Sequence, residues 1–111
     1  MARFREIVRG QISGDQMGML ELLFHRETRQ LLGVHCIGEM ATEIVHIGQV
    51  VMALNGTIDY FRDNVFNYPT MSECYKVAAF DGMHKISLQS LAVIDEEGDP
   101  VTDAEPAALS V

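Results

Sequence analysis

At Gly38 the hydrophobic period of this chain changes from two to about 3.6, and that switch limits the fold more than any other feature of its 111 residues. Upstream, "MLELLFH" (Met19 to His25) sets Leu20, Leu22 and Phe24 on one face of a strand. "LLGVHCI" (Leu31 to Ile37) is a second extended apolar run, and the short polar "RETRQ" lies between them. Two such runs with a short polar link predict an antiparallel hairpin. Because the second run is apolar on both faces, something has to cover each side. Downstream, "EMATEIVHIGQVVMALN" predicts a helix. Met40, Ile44, Ile47, Val51 and Leu54 form one apolar stripe, Ala41, Val45, Gly48 and Met52 a second, and Glu39, Thr42, Glu43, His46 and Gln49 the polar side. So wide an apolar arc requires burial on two sides, against the sheet and against another surface. Asn55-Gly56 then stops the helix in a left-handed conformation.

The flanking segments are read more loosely. Residues 3–13, "RFREIVRGQIS", alternate enough for a strand with Phe4, Ile7 or Val8 and Ile12 inward, broken at Gly14-Asp15. Thr57 can cap a short helix, "IDYFRDN". In "NYPTMSE", Pro69 restricts Tyr68 to an extended conformation, Thr70 can cap the following turn, and Glu73 can reach back to complete a capping box. A last helix is expected from about Met71 to His84, with Cys74, Val77, Ala78 and Phe80 apolar, and "ISLQSLAVI" as a final strand or part of the tail. Strands first and helices after make an α+β domain, an antiparallel β-sheet with helices packed on it. Residues 1–94 form this one domain.

The formal charge of −8 is mostly a tail. Residues 1–94 hold ten acidic and eight basic side chains, while residues 95–111, "DEEGDPVTDAEPAALSV", hold six acidic and none basic. That tail is expected to be disordered or loosely held. A mildly acidic body without a basic stripe disfavours nucleic acid as a partner. No apolar run approaches the roughly 18 residues of a membrane span, and no export signal is visible, so a cytoplasmic location without membrane attachment is expected. Cys36 and Cys74 are then two reduced thiols rather than a disulfide.

Independent catalytic machinery is hard to assemble from these residues. Glu43 and His46 have the i, i+3 spacing of half a di-iron carboxylate site, but the second such pair and the two further glutamates are missing. His35 and Cys36 are strand neighbours and point to opposite faces, so no metal site is expected. The nine glycines form no G-x-G-x-x-G.

Three stretches, "LLGVHCIGEMATEIVHIGQVVM", "YFRDNVFNYPTMSE" and "YKVAAFDG", together resemble the C-terminal dimerisation domain of the FAD-dependent pyridine nucleotide disulfide oxidoreductase family. Within it, "LFHRETRQLLGVHCIGE" and "FNYPTM" are most similar to the transhydrogenase branch, over about residues 3–86. The resemblance implies a homodimer formed around a two-fold axis, for which Met40, Ile44, Ile47 and Val51 are the expected interface residues. It implies that Tyr68 and Pro69 contact the FAD of the partner subunit, and that Tyr68 and Glu73 stand at the family's acid/base positions. The family's usual residue before the proline is histidine. A tyrosine ordinarily titrates near pH 10 and cannot replace that proton shuttle at neutral pH. Hydride moving from NADPH to NAD through the flavin needs no such shuttle. The resemblance also implies that the FAD- and NAD(P)-binding domains, and the dimerisation domain's own first strand and helix, are missing here. No cofactor is then expected on this chain alone, nor activity from it. A free-standing dimeric interaction module with no flavin role is the alternative.

Overall fold

The computed structural model of the chain describes residues 1–97 and 108–110. Its sheet is built on β2 (Met19–His25) and β3 (Leu31–Ile37), the antiparallel hairpin that the alternation predicts, with Leu20 opposite Cys36 and Leu22 opposite Val34. The other edge of β2 receives β1 (Ala2–Arg3) at Leu20 and Met19, and β4 (Ala108–Ser110) at Leu23, Phe24 and His25. Leu20, Leu22 and Phe24 are wholly buried, and cross-strand pairing puts Val34 and Cys36 on their face. The opposite face carries Met19, Leu23 and Ile37 beside a Glu21–His35 pair at 3.3 Å, and Ile37 is 63% exposed there. The cover expected on both sides of β3 is therefore found on one side only among the described residues.

Residues 3–13 do not form the expected strand. After two paired residues the chain enters a 3₁₀ turn (Phe4–Glu6) and then α1 (Val8–Ser13). The cause is local and steric. Phe4 donates its N–H to the Gly18 carbonyl and drives its ring into the core. α1 then folds back so closely that a Cβ on Gly10 would sit 1.8 Å from the Phe4 carbonyl oxygen. Phe4 and Ile7 are inward as expected, but Ile12 is 62% exposed.

The period-3.6 stretch is α2 (Ala41–Ala53), and Asn55 ends it at φ 54°. The Gly56 N–H reaches the Val51 carbonyl and the Asn55 N–H the Met52 carbonyl, so these two carbonyls of the last turn are satisfied. α3 (Asp59–Asp63) follows. Thr57 does not cap it through its side chain, because its hydroxyl donates to the Asp59 carboxylate at 3.1 Å.

α4 (Glu73–Glu97) is the largest departure from the sequence reading, since "ISLQSLAVI" continues the helix rather than forming a strand. No glycine or proline interrupts residues 83–97. Each added residue gains a backbone hydrogen bond, Lys85 pairs with Asp81 one turn earlier at 2.7 Å, and Ile86 packs against the core. The tail expected from residue 95 begins within this helix, and residues 98–107 lie outside the described residues. α2 packs on β3, and α4 packs on β1 and β2. No described helix is long and apolar enough to cross a membrane.

Candidate functional site

Between α3 and α4 the chain makes an exposed elbow, residues 64–72, hung between two apolar anchors. Phe66 packs against the core on one side and Met71 is 5% exposed on the other. Between them Asn67, Tyr68 and Pro69 project outward, with Tyr68 64% exposed and the Tyr68–Pro69 peptide cis. Polar bonds fix the start of the elbow. The Asn64 amide donates to the Tyr60 carbonyl at 2.8 Å, and the Lys76 ammonium donates to the Asn64 carbonyl at 2.9 Å.

The capping box expected at Thr70 and Glu73 does not form. The Thr70 hydroxyl donates backward to the Asn67 carbonyl at 2.7 Å, closing the elbow. Successive backbone turns begin the helix instead, from the Glu73, Cys74 and Tyr75 N–H groups to the Thr70, Met71 and Ser72 carbonyls. A hydroxyl already bonded inside the loop is not available to the next turn.

The elbow separates two open grooves. Tyr68 and Glu73 share one of them with Ile7, Val8, Lys76 and Phe80. Pro69, Thr70 and Met71 border the other, about 530 Å³, whose far wall is Met40, Ile44 and Ile47 of α2 with Arg9 and Glu43 at its rim. The structure thus brings Tyr68 and Glu73 together and sets Pro69 on the opposite slope, facing the stripe of α2.

That stripe is unevenly exposed. Ile44 is 5% and Val51 8% exposed, both packed into the subunit's own core, and Ile47 is half-buried against it. Only Met40, at 44% exposure, offers substantial surface, and the apolar residues that α2 and its end do present are Val50 and Leu54. Gly48, from the second stripe, is pressed on Val34 so closely that a Cβ would lie 2.3 Å from its Cγ2.

Two groups that sequence reasoning passed over hold the elements around the elbow's supporting helix and sheet in place. The Tyr75 hydroxyl, wholly buried, donates to the Ile44 carbonyl at 2.6 Å and accepts the Gly48 N–H at 2.9 Å, while Phe61 stacks on its ring at 4.7 Å. Burial pushes the Tyr75 phenol upward. The signal for it was Gly48, a glycine in the middle of a strong helix, which commonly marks a close approach. The second is Asp15, whose carboxylate accepts the Gly18, Glu39 and Met17 N–H groups at 2.8, 3.1 and 3.2 Å. It ties the entry of β2 to the entry of α2, and those backbone bonds, Gly18 first, hold it below the usual carboxylate range.

The remaining polar candidates sit apart from the elbow. His46 Nδ1 lies 2.9 Å from Gln49 Oε1, and His35 faces Glu21 on the open side of the sheet. Among the described residues no three His, Cys, Asp or Glu side chains gather as a metal site. Cys36 is half-buried, and burial pushes its thiol up to about 11; burial raises Cys74 further.

Comparison with known proteins matches residues 1–79 to the family model "Pyridine nucleotide-disulphide oxidoreductase, dimerisation domain". Among relatives, a soluble pyridine nucleotide transhydrogenase of Hahella chejuensis is 57% identical over 88 residues, which is 77% of this chain and 19% of that protein. One from Pseudomonas syringae pv. tomato is 56% identical with the same coverage. One from Pectobacterium carotovorum is 52% identical, and the match spans 59% of its length. The chain therefore spans about a fifth of the length of the first two relatives.

Proposed function

The chain belongs to the pyridine nucleotide-disulphide oxidoreductase family as its dimerisation domain, and from that premise we propose that it serves an FAD-dependent NAD(P)+ transhydrogenase. Two copies pair as a homodimer, and each elbow leans on the flavin held by the other subunit. The observation that carries this reading is the elbow itself, an exposed Tyr68-Pro69 tip fixed between buried anchors, with tyrosine in place of a titrating imidazole.

The grooves beside the elbow are open, so its residues suit a one-sided contact with a flavin already seated in another domain and not an enclosing site. When bound, the flavin supplies the relay of hydride from NADPH to NAD. The residues of this chain do the rest. The Tyr68-Pro69 backbone would hold the flavin's edge, the Tyr68 ring would help close the site from water, and Glu73 would brace the elbow. No proton has to be moved by the tip, so tyrosine suffices.

The test is a chimera in which this chain replaces the corresponding region of the Hahella relative. NADPH-dependent reduction of an NAD analogue is expected from it, and Tyr68→Ala is expected to lower kcat/KM by about tenfold or more while leaving the dimer mass unchanged, because misplacement at a reacting centre is costly. A Tyr68→Ala chimera with unaltered rate and unaltered flavin fluorescence would remove the elbow from the reaction.

A further inference from the structure

We propose that Tyr75 is a positioning residue whose hydroxyl, bonded to the backbone of α2, sets the distance between α2 and the elbow. In a regular helix the Gly48 N–H would donate to the Ile44 carbonyl four residues back. The Tyr75 phenol bonds to both members of that pair, donating to the carbonyl at 2.6 Å and accepting the N–H at 2.9 Å. The phenol is held from behind by the Phe61 ring, 30° from parallel, so it cannot swing away. A Cβ at position 48 would come within 3.0 Å of the hydroxyl oxygen, and glycine leaves that approach open.

Both walls of the groove beside Pro69 depend on this contact. Ile44, whose carbonyl takes the phenolic proton, is one wall; Pro69 and Thr70 are the other. Three consecutive backbone turns connect Thr70 to Tyr75, with buried Met71 between, so a shift of the ring is transmitted to the elbow rather than absorbed. The functional consequence rests on the reading of the elbow as a flavin contact, but the mechanical coupling does not.

The experiment uses the 111-residue chain labelled with 15N and 3-fluorotyrosine, comparing wild type, Tyr75→Phe and Phe24→Leu. Tyr75→Phe removes both bonds and should shift the Gly48 amide and displace both the Thr70 amide and the Tyr68 fluorine resonances. Phe24→Leu, a core truncation at the β4 end of β2, lowers the unfolding midpoint without touching the phenol and should leave those elbow resonances in place. A Tyr75→Phe protein that loses stability while Gly48, Thr70 and Tyr68 keep their wild-type signals overturns the proposal. Should that variant not fold, wild type decides: a slowly exchanging Tyr75 hydroxyl proton with a cross-peak to the Gly48 amide supports the contact, and its absence refutes it. No flavin enters these measurements, so an inert Tyr68→Ala chimera with displaced Tyr75→Phe signals would sink the flavin contact and leave the coupling standing.

Discussion

Replacing Val51 and Met40 separately by aspartate distinguishes a core position from an interface position on the same helix. Val51 is 8% exposed and part of the subunit's core. Aspartate there loses about 1.5 kcal/mol of side-chain burial, and an unpaired carboxylate in an apolar site adds several kcal/mol more. A total of roughly 4–6 kcal/mol is comparable with the whole stability of a domain this size, roughly 5–15 kcal/mol. Val51→Asp should therefore unfold the monomer, with loss of the cooperative melt by circular dichroism. Met40 is 44% exposed, and a surface change of that kind costs the monomer only about 0.5 kcal/mol. If Met40 lies in a two-fold interface the change acts twice, so about 2 kcal/mol per site becomes about 4 kcal/mol per dimer, or about a thousandfold in Kd. Sedimentation equilibrium with parallel melts reads both. A Val51→Asp protein that melts like wild type but sediments as a monomer would show that Val51 faces a partner and refute its assignment to the core. A wild-type dimer mass for Met40→Asp would take the start of α2 out of the interface.

Three further outcomes are expected. The Asp15 carboxylate is held below its ordinary value near 3.9, so the stability it contributes is present above that value and is lost as pH falls through the lower folded value. Urea midpoints should drop across that acid window in wild type and less steeply in Asp15→Asn. Gly48→Ala must displace Val34, whose Cγ2 would lie 2.3 Å from the new methyl, and should cost about 1–3 kcal/mol by chemical denaturation through overpacking. With a Cys36 pKa of about 11, about one thiol in a thousand is ionised at pH 8. An aromatic disulfide reagent should label Cys36 slowly at that pH, faster as pH rises toward 11, and Cys74 only on unfolding.

Local pattern and tertiary contact divided the determination of this molecule cleanly. The β2–β3 hairpin, the length of α2 and its arrest at Asn55 were legible in the sequence, because periods of two and 3.6 and a left-handed cap are properties of neighbouring residues. The projecting Tyr-Pro tip was implied only by the family resemblance, since the residues by themselves read as a helix start. Residues 3–13 were not: their alternation fits a strand until the Phe4 ring enters the core, and only the contact between Gly10 and the Phe4 carbonyl turns them into a helix. Nor was the partner of Thr70, since its hydroxyl could serve the Asn67 carbonyl or the next turn, and the path of the chain between Phe66 and Met71 selects the first. The phenol bonded to the backbone of α2 depends on residues about 30 positions apart meeting at Gly48 and Ile44. Periodicity fixes which residues share a stripe, but only the neighbours packed around a helix decide which of its stripes faces the core.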